Sequence, residues 1–143
     1  MQMFNTFKIS ASGLTAEKLR MDTIASNIAN ATTTRTEEGG PYRRKIAVFK
    51  ESLEKEINRT TNRSETVSQG VKVDSIIEDE TPFKLTYDPM HPDANEEGYV
   101  EMPNVNIMNE MVDMIAATRA YEANVTALNA TKSMFLKALE IGK

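Results

Sequence analysis

Residues 104–139 read NVNIMNEMVDMIAATRAYEANVTALNATKSMFLKAL. Within this stretch Ile107, Met111, Met114, Thr118, Tyr121, Val125, Leu128, Lys132, Phe135 and Leu139 follow one another in unbroken steps of four and three. That is the a/d spacing of a helix packing along a seam with another helix. At about 1.5 Å rise per residue, such a helix is on the order of 50 Å long. A chain of 143 residues has no core that deep. A partner helix, from this chain or from another, must cover the stripe. Asn104 or Asn106 is placed to cap it, with Glu110 adding negative charge at its N-terminal dipole.

A second helical stripe lies at the other end of the chain. From Phe4 to Ala31, Phe7, Leu14, Met21 and Ile28 fall seven apart, and Ala11, Ile24 and Ala25 fill the intervening turns. Gly13 costs this helix about 1 kcal/mol relative to Ala. It is either a tolerated weak spot or a point of close approach by a neighbour. Lys8, Glu17, Lys18, Arg20 and Asp22 leave one positive charge. The other polar positions, such as Ser26, Asn27, Asn30 and Thr33, are Ser, Thr and Asn. An isolated helix normally turns a charged face to water. This one is built for contact with protein on several sides, through side-chain hydrogen bonds.

Between the helices the pattern changes. Gly39-Gly40-Pro41 is a turn. Residues 42–50 alternate as a strand, entered through Arg43-Arg44-Lys45, which reads as a solvated basic edge. Residues 51–70 are charged and polar, with Leu53 and Ile57 the only strong apolar pair at helical spacing. Composition makes this segment a mobile loop holding at most one helical turn. Val71–Glu78 is a strand, Phe83–Tyr87 a shorter one, and Tyr99–Glu101 a third. Asp88-Pro89-Met90-His91-Pro92-Asp93 is turn chemistry. The expected fold class is therefore α+β. Long N- and C-terminal helices (1–34 and 104–143) form a coiled-coil assembly domain, with a small β-rich insert (35–103) between them and a mobile loop near 50–70.

The sequence offers little for catalysis. There is no cysteine, and His91 is the single histidine. Asp88, Asp93, Glu96 and Glu97 lie near it, but two prolines stiffen the run and the spacing fits no carboxylate-rich metal loop. No phosphate loop or nucleophile signature is present. We expect no enzyme, no catalytic residue, no metal and no cofactor. A net charge of −4 argues against nucleic acid, which needs a basic surface. No apolar run approaches the roughly 20 residues of a membrane span, so no direct membrane insertion is expected. The N-terminus lacks the features of a cleaved signal peptide. Met108, Met111, Met114 and Met134 read either as an adaptable groove or as plain helix packing.

Several stretches resemble one family. They are SASGLTAEKLRMDTIASNIAN (10–30), GPYRR (40–44), LTYDP (85–89), HPD (91–93), EGYV (97–100), PNVN (103–106), NEMVDMI (109–115) and RAYEAN (119–124). Together they resemble the rod proteins of the bacterial flagellar basal body over most of the chain outside residues 50–69. Ala31-Thr32-Thr33-Thr34 stands where that family commonly has a further Asn, a mild departure. The resemblance implies a structural subunit without catalytic residues. Its terminal helices would line the inner wall of a tube, and its insert would lie further out. It implies export through the flagellar type III machinery without a cleaved signal peptide, and assembly in the periplasm. The implied partners are copies of itself, other flagellar rod subunits and the membrane-ring/export-gate adaptor proteins. The tube would transmit motor torque and let exported subunits pass. The stripe residues within the matching segments would form the assembly interface: Phe7, Leu14, Met21, Ile24, Asn27, Ile28, Asn30, Ile107, Met111, Met114, Tyr121, Val125, Leu128, Phe135 and Leu139. Helices of this length are marginal without packing, so both termini are expected to lack order until neighbours arrive. Two other readings use the same stripes: a soluble coiled-coil adaptor or chaperone, and a protein lying on a membrane surface. The second needs Lys and Arg along the polar face, and both helices are close to neutral.

Overall fold

The computed structural model describes residues 2–37, 39–58 and 63–141. Two long helices frame two antiparallel strand pairs. Helix α1 spans Gln2–Ala29 and α2 spans Ile107–Ile141. Strand β1 (Lys45–Asn58) pairs with β2 (Arg63–Glu78), and β3 (Lys84–Tyr87) pairs with β4 (Tyr99–Met102). The α+β class and the order helix, β insert, helix hold.

The helices run antiparallel. Asn124 lies over Gly13, Thr118 Oγ1 reaches Met21 Sδ at 3.6 Å, and Glu110 meets Asn27. Helix α1 therefore lies between α2 and the β1–β2 hairpin, touching both. Among the described residues α1 is the only helix or strand packed along α2; beyond it, Arg44 reaches Glu110 and Asp113 at the start of α2.

That pairing turns a different row of α2 inward than the heptad spacing selects. Ala117 is wholly buried and Thr131 nearly so, with Asn124 half-buried between them. They share the seam with Met114, Tyr121, Leu128 and Phe135, all half-buried. Val125 is also half-buried, but Thr118 and Lys132 are exposed, as are Ile107, Met111 and Leu139 at the ends of the stripe. Small side chains let two backbones approach. The bulkier row, Met111, Thr118, Val125 and Lys132, is rotated to the rim. On α1, Ile24 and Asn27 are buried, while Phe7, Leu14, Met21 and Ile28 are half-buried, as is Asn30 just past its end.

Gly13 is a point of close approach. A Cβ there would lie 3.0 Å from Asn124 Nδ2. Five threonine hydroxyls bond within their own helix. Thr15, Thr23, Thr118, Thr126 and Thr131 each donate to the carbonyl four residues earlier in their own helix. Their hydroxyls are satisfied internally, and such residues pack as small, nearly apolar groups.

The largest departure is the segment 50–70, read above as a loop. Both strands continue through it, β1 to Asn58 and β2 from Arg63, with Ile57 opposite Ser64 and Asn58 opposite Arg63. Backbone pairing, which any non-proline residue can supply, runs through this arm. Register shifts at Val48/Phe49 and Glu51/Leu53 bend β1. The arm meets α1 at Gly70, whose φ of +110° and position over the Ile9 backbone leave no room for a side chain: a Cβ there would fall 2.1 Å from Ser12 Oγ. Ser12 Oγ accepts the Val71 amide at 3.1 Å.

Candidate functional site

Two features can do work: a polar junction at one end of the helix pair, and the helix faces left open along it.

The junction forms where the end of α1, the start of β1, the end of β2 and the start of α2 converge. Asn27 is its hub. Its Oδ1 accepts from the Lys45 amide (2.9 Å) and from Tyr42 Oη (3.0 Å). Its Nδ2 donates to the Lys45 carbonyl (2.8 Å) and to Glu110 Oε2 (3.0 Å). Only a carboxamide presents donor and acceptor side by side in this way. Glu110 is wholly buried, and its other oxygen accepts from Arg44 Nε at 2.6 Å. A buried carboxylate needs such a partner, because an unpaired one costs several kcal/mol. The same guanidinium reaches Asp79 Oδ2 (3.4 Å) and Asp113 Oδ2 (3.6 Å).

Asn104 closes the far side. Its Oδ1 accepts the Arg44 amide at 2.8 Å, and its Nδ2 donates to the carbonyls of Asp79 and Thr81. The helix cap falls to Asn106, whose Oδ1 accepts the amides of Met108 and Asn109. Arg43 stacks over Phe83 at 4.4 Å and donates to the Asp79 carbonyl. Thus Arg43 and Arg44, read above as a solvated edge, are structural cations inside the junction. Only Lys45 of the three keeps an exposed side chain.

Electrostatics follow from these contacts. Burial works against the Arg44 charge, but Glu110 and then Asp79 outweigh it, so its pKa lies above the ordinary value. Hydrogen bonds from the Thr81 amide and hydroxyl, with Arg44 adding, hold the Asp79 carboxyl below the usual carboxylate range against a desolvation penalty.

Sequence reasoning noticed Asn27, Asn104 and Glu110 but not Arg44, which binds both Asn104 and Glu110. Its nearest carboxylate partner in sequence, Asp79, stands 35 residues away and Glu110 66, so no local pattern could reveal it. Asn27 was expected at an assembly interface. The structure uses its whole side-chain amide within the chain.

The second feature is the outward side of α2. Met108, Met111, Val112 and Ile115 are all exposed and fall at i, i+3, i+4 and i+7, on the side opposite Glu110, Met114 and Ala117. Near the far end, Met134, Leu136 and Leu139 are exposed as well. Exposed apolar residues in such a row mark an interaction surface. Among the described residues no group of three or more His, Asp or Glu is placed to hold a metal, and no helix is long and apolar enough to cross a membrane. His91 sits in its turn with Nδ1 accepting the Asp93 amide at 3.1 Å.

An open helix pair locked at one end is the architecture of a subunit that builds with others. Comparison with known proteins gives the class. Residues 7–35 match the family described as flagella basal body rod protein, and residues 96–141 match the C-terminal family of the flagellar basal body rod FlgEFG proteins. The chain is 51% identical to the flagellar basal-body rod protein FlgC of Bacillus subtilis, covering 100% of both chains. It is 47% identical to that of Borreliella burgdorferi, covering 99% of this chain and 98% of the relative. With FlgC of an Escherichia coli strain it shares 43% identity over the full length of both. The chain belongs to the FlgC family of flagellar basal-body rod proteins. It is a structural subunit of that rod.

Proposed function

We propose that the chain assembles into the proximal rod through its terminal helices. The assembled helices form a coiled-coil wall around a channel through which exported subunits pass. The tube works as a drive shaft carrying motor torque, in the periplasm, and the subunit reaches it through the flagellar type III export machinery. Its partners are copies of itself, other rod subunits and the adaptor proteins of the membrane ring and export gate. It has no catalytic role, since rod relatives are structural proteins. The residues 1–34 and 104–143 act as the assembly unit and 35–103 as the outer insert.

The observation that carries this reading is the open side of α2. A helix on the order of 50 Å long with one neighbour leaves more than half its circumference free, and that free side is apolar at Met108, Met111, Val112 and Ile115. A heterologous contact that does not close on itself builds a helical tube. The adaptor and membrane-surface readings use the same stripes but give no account of the family match.

The test is a set of charge insertions along α2. Val125→Asp and Leu128→Asp each place an unpartnered charge beside the seam, at a cost of several kcal/mol. We expect export to continue and rod assembly to fail, read as loss of the chain from purified basal bodies and loss of swimming. Normal motility in either variant would contradict the seam assignment.

A further inference from the structure

The short β3–β4 pair has two unequal faces. On one, Thr86 and Val100 stand opposite each other, as do Lys84 and Met102, and Val100 is 2% exposed. This face is covered on its β4 side, with Val100 buried and Met102 half-buried, while Lys84 and Thr86 are exposed. On the other, Tyr87 stands opposite Tyr99, with ring centroids 5.3 Å apart and planes at 66°, and Leu85 stands opposite Glu101. This outward face should be polar in a sheet with one solvated side. Instead Leu85 is 61% exposed, Tyr87 65%, and Met90 beside them 94%. Among the described residues no other helix or strand packs on β3 or β4, so no described helix or strand covers that face.

The face is also rigidly built. Asn95 Oδ1 accepts the amides of Glu97 (3.0 Å) and Tyr99 (2.8 Å). Asp88 Oδ1 accepts the Met90 amide, and Thr34 Oγ1 donates to Asp93 Oδ2 at 2.9 Å. Gly98, at φ +82°, lets the Tyr87 ring lie where a Cβ would be 3.0 Å away. A preorganised surface loses little conformational entropy on docking. Glu101 stands on this face opposite Leu85, and Asp88, Asp93, Glu96 and Glu97 are exposed in the turn that joins the two strands, against Lys84 as the one lysine or arginine of residues 84–101; Arg43 and Lys45 lie near Glu101 at one edge.

We propose that the outward β3–β4 face docks a cationic segment, with arginine or lysine interleaved among apolar residues, from a different protein of the flagellar basal body. The apolar centre with a charged rim is the anatomy of a protein interface, and the sign of the rim sets the sign of the partner. A second copy of this chain is a poor donor. Its net charge is −4; of its exposed cations, Lys50, Arg119 and Lys137 are paired with Asp74, Glu122 and Glu140, and Lys18, Arg35, Lys72 and Lys132 stand on four separate segments. A membrane of anionic lipid would be repelled by the same rim. The proposal rests on the rod reading above, and the test separates the two.

The experiment places a photo-crosslinking amino acid at Tyr87 of the full chain in motile cells, and a control at Thr126 on α2. Basal bodies are purified, and the linked peptides are sequenced. The expected product at position 87 is a net-basic peptide of another basal-body protein. Its yield should fall at least severalfold when Glu96→Lys and Glu97→Lys are added. Both substitutions are at exposed sites, so the free subunit should unfold at an unchanged temperature. A linked peptide from a second copy of this chain, a net-acidic peptide, or a yield untouched by the charge reversal would overturn the proposal. So would basal bodies that contain the chain but give no adduct at 87. A chain absent from basal bodies altogether would instead overturn the rod reading.

Discussion

The two ends of the helix pair are held by different physics. At the junction end, Asn27, Arg44, Glu110, Asn104 and Asp79 link both helices to the β1–β2 pair through amide hydrogen bonds and charge-assisted bonds to the Glu110 carboxylate. Along the seam, contact rests on small residues such as Gly13, Ala16 and Ala117, and on half-buried rows. The junction fixes geometry, because a buried ion pair tolerates few arrangements. The seam fixes only proximity, since a small-residue surface buries little area and can accept another neighbour. A subunit that must keep its shape while adding partners gains from that division.

The contrast breaks most readily at Arg44. Arg44→Ala leaves Glu110 buried with no cation, and truncating one member of a buried pair costs about 3–5 kcal/mol. Urea unfolding of the free subunit measures this. A loss below about 1 kcal/mol would place the lock elsewhere. Gly70→Ala comes next. It combines positive φ with a contact on Ser12, and strain of this kind costs about 1–3 kcal/mol. Adding Ser12→Gly should recover the steric part and leave the backbone part.

A smaller effect is expected from acidity. Because folding lowers the Asp79 pKa, its contribution is full above the ordinary carboxylate range and fades as pH falls through the lowered folded value. The stability gap between the wild-type chain and Asp79→Asn should therefore narrow on acidification. A gap that stays constant through the carboxylate range would exclude Asp79 as a stabilising charge. Gly13→Ala should do least. It gains about 1 kcal/mol of helix propensity and displaces the flexible end of Asn124, so the net change in melting stability is expected within about 1 kcal/mol of zero. A loss above about 2 kcal/mol would make the seam as exacting as the junction.

Legibility in the sequence followed the range of the forces involved. Both helices could be read because an apolar period of 3.6 residues is written along the segment that forms it. The strand at Val71–Glu78 and the short β3 and β4 were legible from alternation and turn residues in the same way. The distal arm of the long hairpin was not. Leu53 and Ile57 lie four apart, which suggests a helical turn, yet the backbone pairing of 53–58 with 63–68 overrides that local hint. The junction stayed hidden for a related reason. Arg43-Arg44-Lys45 looks like any solvated basic run until Glu110 and Asp79 are brought beside it.

The sequence by itself determined the two long helices, the turn-rich β insert between them and the absence of a core large enough to cover either stripe. Those are consequences of local periodicity, backbone stereochemistry and chain length. Only the tertiary structure decided which row of α2 faces α1, and that Arg44 stands beside three carboxylates. Burial and ion pairing depend on what the rest of the chain places within a few ångströms. Two adjacent heptad rows differ by a rotation that no local pattern can choose, and here the close fit of Gly13 to Asn124 accompanies the choice.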